Sequence, residues 1–243
     1  MNYHWNWLVF FEPSPTGGGS YLDMLLSGLL LTIETSFCAW IIALITGSIV
    51  GVMRTLPSKT ASTIGFAYVE LFRNMPLLLQ LFLWFFVLPE LLPRQAGLWL
   101  KQLPNAPFYT AAIGIGLFMS ARIAEQLRAG IGSLPRGQKM AATALGLTTT
   151  QAYAYVLLPM AYRIILPPLT SECLSTIKNT AVAITIGLLE LTGQARAMQE
   201  FTFQVFESFT AATMIYLLVN LVVVTVMRTL ERAVAIPGYI AGK

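Results

Sequence analysis

Two long segments of this chain contain no charged side chain. Thr35–Met53 and Ser208–Met227 consist almost entirely of apolar, small and hydroxyl-bearing residues, and Arg54 and Arg228 follow them directly. A helix needs about 20 mostly apolar residues to cross the hydrocarbon core of a bilayer. Because hydrocarbon offers no hydrogen-bond partners, a segment that crosses it must satisfy its own backbone, as a helix does. The two segments therefore predict membrane-spanning helices.

Three other segments predict further spans, although their sequences are less uniform. In chain order the second span contains Pro76, and the fourth contains Pro167, Pro168 and Lys178. A proline removes a backbone donor and clashes with the preceding turn, so we expect helix breaks at Pro76 and at the Pro167-Pro168 pair. The expected fold is all-α and integral to the membrane, one domain over residues 1–243 with five spans at about 24–53, 64–89, 107–131, 161–190 and 208–230.

Composition agrees with a membrane protein and excludes several functions. Hydrophobic residues make up 56% of the 243 residues and charged residues 11%, whereas soluble domains carry about 25% charged residues. The 15 Lys and Arg residues are spread thinly, which argues against nucleic-acid binding. Cys38 and Cys173 lie inside apolar runs, which favours packing over a disulfide. With His4 as the single histidine and Asp23 as the single aspartate, an intramembrane serine or aspartyl protease is excluded.

The distribution of Lys and Arg between the loops predicts the orientation. Cytoplasmic loops of membrane proteins carry an excess of these residues. If the N-terminus is outside, nine fall on the cytoplasmic side and three outside, and the reverse orientation would invert this ratio. We therefore expect an N-out, C-in topology. The nine are Arg54, Lys59, Arg128, Arg136, Lys139, Arg163, Arg228, Arg232 and Lys243, and the three are Arg94, Lys101 and Arg196.

The long inner segment at about 132–159 is too polar to cross a membrane but is rich in Ala and Leu. A helix over about 137–145 can end at Gly146, because glycine adopts the left-handed backbone that closes many helices. The hydroxyl residues Thr148–Thr150 suit the N-terminus of a second helix that runs to Pro159. The spacing predicts a cytoplasmic helix–turn–helix with small residues on its exposed face.

The inner segment resembles the "EAA" loop of binding-protein-dependent ABC importer permeases. In that family the loop is a coupling helix that docks into a cleft of the ATPase subunit. Met140 stands where the family has a Glu and Val156 where it has an Ile, so an ion pair through that Glu is not available here. The matching positions, which the resemblance identifies as coupling residues, are Ala141, Ala142, Gly146, Leu158 and Pro159.

Other parts of this chain resemble the polar amino acid branch of these permeases. The segments that carry the resemblance are 70–80 (ELFRNMPLLLQ), 133–138 (SLPRGQ), 166–170 (LPPLT) and 177–180 (IKNT). The resemblance is greatest to permeases for glutamate and aspartate. It implies a Type I importer fold in the bacterial inner membrane, surrounded by lipid. It also implies a second permease chain, a dimer of ATP-binding subunits and a periplasmic binding protein as partners. ATP and Mg²⁺ would bind those subunits, leaving no cofactor for this chain.

Charged residues inside the spans are the candidates for a substrate path, because such charges are costly unless they are paired or face water. Glu70 and Arg73 are three residues apart, which favours a local ion pair, and the same spacing links Glu125 to Arg122 and Arg128. Lys178 has no acidic residue within one turn, so it must face water, a distant acid such as Glu34, or the substrate. The candidate substrate-path residues are Lys178, Arg122, Arg73 and Glu70.

A secondary, ion-coupled transporter is the alternative function, because such proteins also place charges and broken helices in the membrane. They are commonly built from internal repeats, and none is evident here. The chain is not itself an ATPase, because a phosphate-binding loop needs G-x-x-x-x-G-K-[ST]. After Gly132 and Gly137 the next residue is Gln138, so the lysine is missing at its required position.

Overall fold

A computed structural model describes residues 3–15 and 19–234, and almost all of the regular structure in these ranges is helical. The exception is a single isolated bridge between Pro13 and Ser20. The α-helices are α1 (Tyr21–Met53), α2 (Lys59–Asn74), α3 (Leu77–Phe82), α4 (Leu88–Leu91), α5 (Arg94–Lys101), α6 (Ala106–Gly132), α7 (Arg136–Ala144), α8 (Thr149–Ala152), α9 (Leu158–Asn179), α10 (Leu191–Thr202) and α11 (Val205–Val234). Short 3₁₀ helices cover Trp7–Phe11 and Thr180–Ile186, and π-helical turns cover Leu83–Val87 and Tyr153–Leu157.

Four helical stretches among the described residues are long and apolar enough to cross a membrane, namely α1, α6, α11 and the continuous stretch Thr149–Ile186. A fifth span is present if α2 and Leu77–Leu91 are counted together. The all-α membrane architecture expected from the apolar runs is thus confirmed. The bilayer limits at 24–53, 64–89, 107–131, 161–190 and 208–230 stay predictions, because the end of a helix does not mark the edge of the bilayer.

Pro76 breaks the helix as expected, but Pro167 and Pro168 do not. Helix α2 ends at Asn74, Met75 is extended, and Pro76 precedes the first residue of α3. Both later prolines lie inside the uninterrupted helix α9, so the predicted break there is wrong. Spanning helices tolerate proline because neighbouring groups replace the lost backbone partners. The change of conformation comes after α9 instead, where the backbone tightens into a 3₁₀ helix.

The chain divides into two compact units. The first unit comprises the described residues of Met1–Ile41, Pro76–Gly116 and Ser175–Val222. Its core packs α1 against α10 and α11, and the fully buried residues there include Leu25, Leu191 and Met198.

A buried carboxylate, that of Glu190, holds three parts of the first unit together. Its side chain has no exposed surface and accepts hydrogen bonds from the Gly193 backbone N–H at 2.9 Å, the Thr32 hydroxyl at 3.3 Å and the Tyr216 hydroxyl at 2.5 Å. A buried charge is stable only when such donors compensate it. Glu190 is thereby both the N-cap of α10 and a link from α1 to α11.

The second unit comprises the described residues of Ile42–Met75, Leu117–Leu174 and Val223–Lys243. Within it the end of α1 packs closely on α6 through glycines: a Cβ added to Gly47 would lie 2.8 Å from the Ser120 carbonyl oxygen, and one on Gly51 would lie 3.0 Å from that of Ala124. Small residues permit such close approach of helix backbones in membranes. The Gly47-x3-Gly51 spacing therefore sets the close contact between α1 and α6.

Candidate functional site

The turn between α7 and α8 has a backbone that its sequence specifies. The Gly146 N–H donates to the Thr143 carbonyl at 3.0 Å and the Leu147 N–H donates to that of Ala142 at 3.1 Å, which is a Schellman motif. Gly146 has φ = 77°, as expected for the left-handed residue of that motif. Two residues later Thr148 and Gln151 form a reciprocal capping box that begins α8. The predicted first helix, the turn at Gly146 and the start of the second helix are therefore present. The predicted end of the second helix at Pro159 is wrong, because the helical stretch continues from Thr149 to Ile186.

The surface of this helix–turn–helix is apolar and open. Met140, Leu145 and Tyr155 are all highly exposed, Leu145 to 80%. A groove of 520 Å³ lies beside them, and Ala141, Ala142 and Pro159 are among the residues that line it. Leu158, by contrast, packs inward against a small buried cluster. Four of the five predicted coupling residues thus lie at the groove or its turn, and Leu158 supports them from behind.

A contact that the sequence did not indicate joins this region to the turn after α1. Tyr153 is buried with Leu134 and Leu157, and its hydroxyl donates to the Thr55 backbone carbonyl at 2.7 Å. The Tyr153 hydroxyl also lies 3.2 Å from the Thr55 hydroxyl oxygen. Tyr153 also begins the π-helical turn that leads into α9, and such turns often occur at functional positions in helices. No local spacing could have paired residues 98 positions apart.

A polar cavity of 340 Å³ lies elsewhere in the second unit, lined by Arg73, Phe118, Arg122, Glu125, Gln126 and Glu172. Glu172 is 7% exposed; it accepts hydrogen bonds from Arg122 Nε at 2.7 Å and from Gln126 Nε2 at 2.9 Å. The single oxygen of the Gln126 side-chain amide is buried and has no hydrogen-bond partner among the described residues.

The structure brings together two of the four predicted substrate-path residues. Arg73 and Arg122 both line the polar cavity, whereas Glu70 and Lys178 do not. Glu70 accepts a hydrogen bond from Asn74 at 2.9 Å and forms no ion pair with Arg73, so the predicted Glu70–Arg73 pair is wrong. Within the described residues Lys178 is exposed and makes no ion pair, with Glu34 or any other acid. Its place on the path stays a prediction.

The pairing of Arg122 also differs from the predicted one. Glu125 binds Arg128, as its spacing predicts, and also Arg54 from the end of α1. Arg122 is therefore left to Glu172, which is 50 positions away on α9. Spacing along one helix predicts a pair with the nearest acidic residue of that helix. In a helical bundle, however, an acidic residue of a neighbouring helix can be better placed.

Comparison with known proteins places this geometry in a family. Residues 43–236 match the family described as "Binding-protein-dependent transport system inner membrane component". Over 100% of both chains the sequence is 49% identical to the glutamate/aspartate import permease protein GltJ of Escherichia coli strain K12. It is 34% identical to the probable glutamine ABC transporter permease protein GlnM of Bacillus subtilis strain 168, over 82% of this chain and 88% of that protein.

Solved structures agree with the sequence relatives. A crystal structure of an amino acid ABC transporter with histidines superposes with a TM-score of 0.74 at 31% identity, covering 88% of this chain and 95% of that one. An inward-facing MetNI methionine ABC transporter has the same TM-score at 19% identity, over 88% of this chain and 98% of that one, and shares the fold. The chain therefore belongs to the binding-protein-dependent transport system inner membrane component family and is a multi-pass inner-membrane permease of a bacterial ABC importer.

Proposed function

We propose that this permease imports acidic amino acids, glutamate and aspartate, and that Arg73 and Arg122 contact the substrate as it passes. The observation that carries the proposal is the polar cavity with its two guanidinium groups. The identity to GltJ along the whole chain supports the same substrate class. The family implies ATPase subunits and a binding protein as partners, and ATP is hydrolysed on those separate subunits.

The charge balance of the polar cavity suits an anionic amino acid. Arg122 is paired with Glu172, and Glu125 is shared between Arg54 and Arg128, while Arg73 has no ion pair among the described residues. One guanidinium is thus left uncompensated. Glutamate and aspartate carry two carboxylates and one ammonium group, a net charge of −1 at neutral pH. A guanidinium binds a carboxylate with two parallel hydrogen bonds, and Arg73 can offer these to a carboxylate of the substrate.

We further propose that the apolar groove beside α7 docks onto the ATPase, with Ala141, Gly146 and Pro159 at the contact and with Ala142 and Leu158 supporting it from behind. Ala141 is exposed and its small side chain lets another protein approach the helix closely, whereas Ala142 is buried. Met140 replaces the acidic residue of related loops, so the contact on this side is apolar rather than ionic. A second permease, either another copy or a related chain, completes the path between the membrane domains.

The substrate role of Arg73 is tested with Arg73→Gln in the assembled transporter. We expect glutamate uptake into proteoliposomes to fall about ten- to hundredfold, because one charge-assisted hydrogen bond contributes roughly 1.5–3 kcal/mol. Basal ATP hydrolysis should be unchanged. Arg94→Gln is the matched control, since Arg94 is exposed on α5 and lines no part of the cavity. Normal glutamate uptake by Arg73→Gln would refute the proposed contact.

Arg122 needs a double variant, because its removal alone leaves Glu172 buried without its cation. We expect Arg122→Gln to reduce the amount of assembled transporter, since an unpaired buried carboxylate is strongly destabilising. Adding Glu172→Gln should restore assembly but not uptake. If the double variant transports glutamate normally, the Arg122–Glu172 pair is only structural. Uptake, assembled protein and thermal stability measured together distinguish the two results.

A further inference from the structure

The described N-terminal residues carry an aromatic cluster that the transport function does not use. Trp5 and Trp7 stack in parallel with ring centres 5.7 Å apart, and Tyr3 meets Trp5 edge-on at 5.0 Å. Phe206, at the start of α11, joins the cluster through Tyr3 at 4.8 Å and Trp5 at 5.6 Å. The cluster therefore links residues 3–7 to the start of α11.

The cluster is held in place by a buried carboxylate, that of Glu207. This side chain has no exposed surface. It accepts hydrogen bonds from the Asn6 backbone N–H at 2.8 Å and from the Tyr3 hydroxyl, which also donates to Gln204 at 2.8 Å. One residue of the adjacent 3₁₀ helix, Val9, is buried in the core of the first unit. The segment is thus fixed on its inner side at several points.

The outer side of the same segment is almost wholly apolar and exposed. Trp5 is 59% exposed and Leu8 is 73% exposed, and Trp7 and Phe11 are similarly open. Phe203, in the turn between α10 and α11, is 79% exposed although its backbone is left-handed at φ = 58°. A bulky residue rarely adopts that conformation, and such strain persists where the surroundings impose it. The exposed ring of Phe203 adds to the apolar surface of this part of the first unit.

We infer that this surface, formed by Trp5, Trp7, Leu8, Phe11, Phe203 and Phe206, is a membrane anchor that lies among the glycerophospholipids of the outer leaflet, at the boundary between headgroups and acyl chains. The uncharged stretch of α11 begins at Ser208, so Phe206 and the rings packed on it lie beside the predicted start of that span, which the predicted N-out topology places on the outer side. Tryptophan and tyrosine concentrate at that level in membrane proteins, since their rings are apolar with a polar edge. The surface also continues into the exposed apolar face of α11.

A nitroxide spin label at Leu8→Cys tests the anchor in the complete transporter, reconstituted into nanodiscs of phosphatidylethanolamine and phosphatidylglycerol, with Cys38 and Cys173 replaced. Oxygen concentrates in lipid and a nickel chelate in water, so the two collision rates measure what surrounds the label. We expect high oxygen and low nickel accessibility at position 8. Gln95→Cys, exposed on α5, is the aqueous control and should show the reverse.

Any other combination of oxygen and nickel accessibility at position 8 would contradict the proposed membrane anchor. High nickel accessibility at position 8 would place the surface in water, and low accessibility to both reagents would mean that a protein partner covers it. Phe11→Cys provides a second reporter on the same surface if the first variant does not assemble. Tyr3→Phe in the labelled protein should shift the label toward nickel, because it removes a hydrogen bond that fixes the segment to Glu207. An unchanged collision ratio would contradict that role of Tyr3.

Discussion

Gly146 has a left-handed backbone conformation that the absence of a Cβ permits. Its φ is 77°, and an added Cβ would meet no atom within 4 Å. A substitution there is therefore strained by the backbone alone. For a β-branched residue the left-handed conformation costs roughly 1–2 kcal/mol or more, which is enough to distort a turn whose shape must fit a partner protein.

We expect Gly146→Val to insert and assemble but to lose amino acid uptake. Gly137→Val is the matched control, because Gly137 also has open space around it but lies inside α7 without a positive φ. Uptake into proteoliposomes, normalised to assembled protein, is the measurement. Normal uptake by Gly146→Val would remove the argument that the turn docks onto the ATPase.

The Tyr153 hydroxyl connects the coupling region to the turn after α1, and its loss should weaken energy transfer. Tyr153→Phe keeps the ring in its cluster but leaves the Thr55 carbonyl without this donor, at a cost of about 1–3 kcal/mol. We expect less amino acid transported per ATP hydrolysed. Tyr109→Phe is the control, because Tyr109 is exposed and its hydroxyl has no hydrogen-bond partner among the described residues. A wild-type ratio of uptake to hydrolysis in Tyr153→Phe would disprove the connection.

Of the features of the two candidate sites, the long-range side-chain pairs were the hardest to predict from the sequence. The turn at Gly146 and the cap at Thr148 were predictable, because local hydrogen bonds specify both. The Glu125–Arg128 pair follows from its spacing in the same way. Arg122 binding to Glu172 and Tyr153 binding to Thr55 depend instead on which helices become neighbours, and a single sequence contains no local signal for that.

At the scale of elements, the contact between α1 and α6 depends on the absence of side chains. A Cβ on Gly47 would lie 2.8 Å from the Ser120 carbonyl oxygen and 2.9 Å from the Ile123 Cβ. Both neighbours belong to a helix, so the whole backbone would have to move. We expect Gly47→Ala to destabilise the purified permease by about 1–3 kcal/mol, as overpacking does in other cores.

Gly132→Ala is the control for that substitution, because Gly132 ends α6 with nothing within 4 Å of an added Cβ. The melting temperature of the detergent-solubilised protein is the measurement. Equal melting temperatures for the two variants would mean that α1 and α6 are less closely packed than the structure shows.

The helices themselves were largely predictable, since an apolar run of sufficient length has few alternatives in a bilayer. Pro76 ended a helix as expected, but Pro167 and Pro168 did not. The difference is physical: a proline removes one hydrogen bond, and whether the helix continues depends on what the neighbouring helices offer in return. Sequence alone identifies the proline but not that compensation.

At the scale of the whole molecule, the basic residues predicted to face the cytoplasm and those predicted to face outside lie in different compact units. Every described residue that was predicted to face the cytoplasm lies in the second unit, and Arg94, Lys101 and Arg196 all lie in the first. The N-out, C-in topology itself rests on the excess of Lys and Arg in cytoplasmic loops and stays a prediction. Lys243, the ninth residue of the predicted cytoplasmic set, lies outside the described residues.

We expect a cysteine at Thr149 to be protected from a membrane-impermeant thiol reagent in intact spheroplasts, and one at Ala96 to react. Both positions are exposed in the structure, so protection can be attributed to the membrane. Cys38 and Cys173 must first be replaced, and permeabilised cells should label both sites. Labelling of position 149 from outside would reverse the topology.

The hydrogen bonds of Glu190 also bear on how the protein is made. Its donors include Thr32 from α1 and Tyr216 from α11, which is synthesised much later. Until synthesis reaches α11, this carboxylate lacks its closest donor in a surrounding that penalises bare charge. A nascent chain, or one truncated before α11, therefore holds this carboxylate without its Tyr216 donor, and the hydrogen bonds of Glu190 are complete only once α11 is inserted.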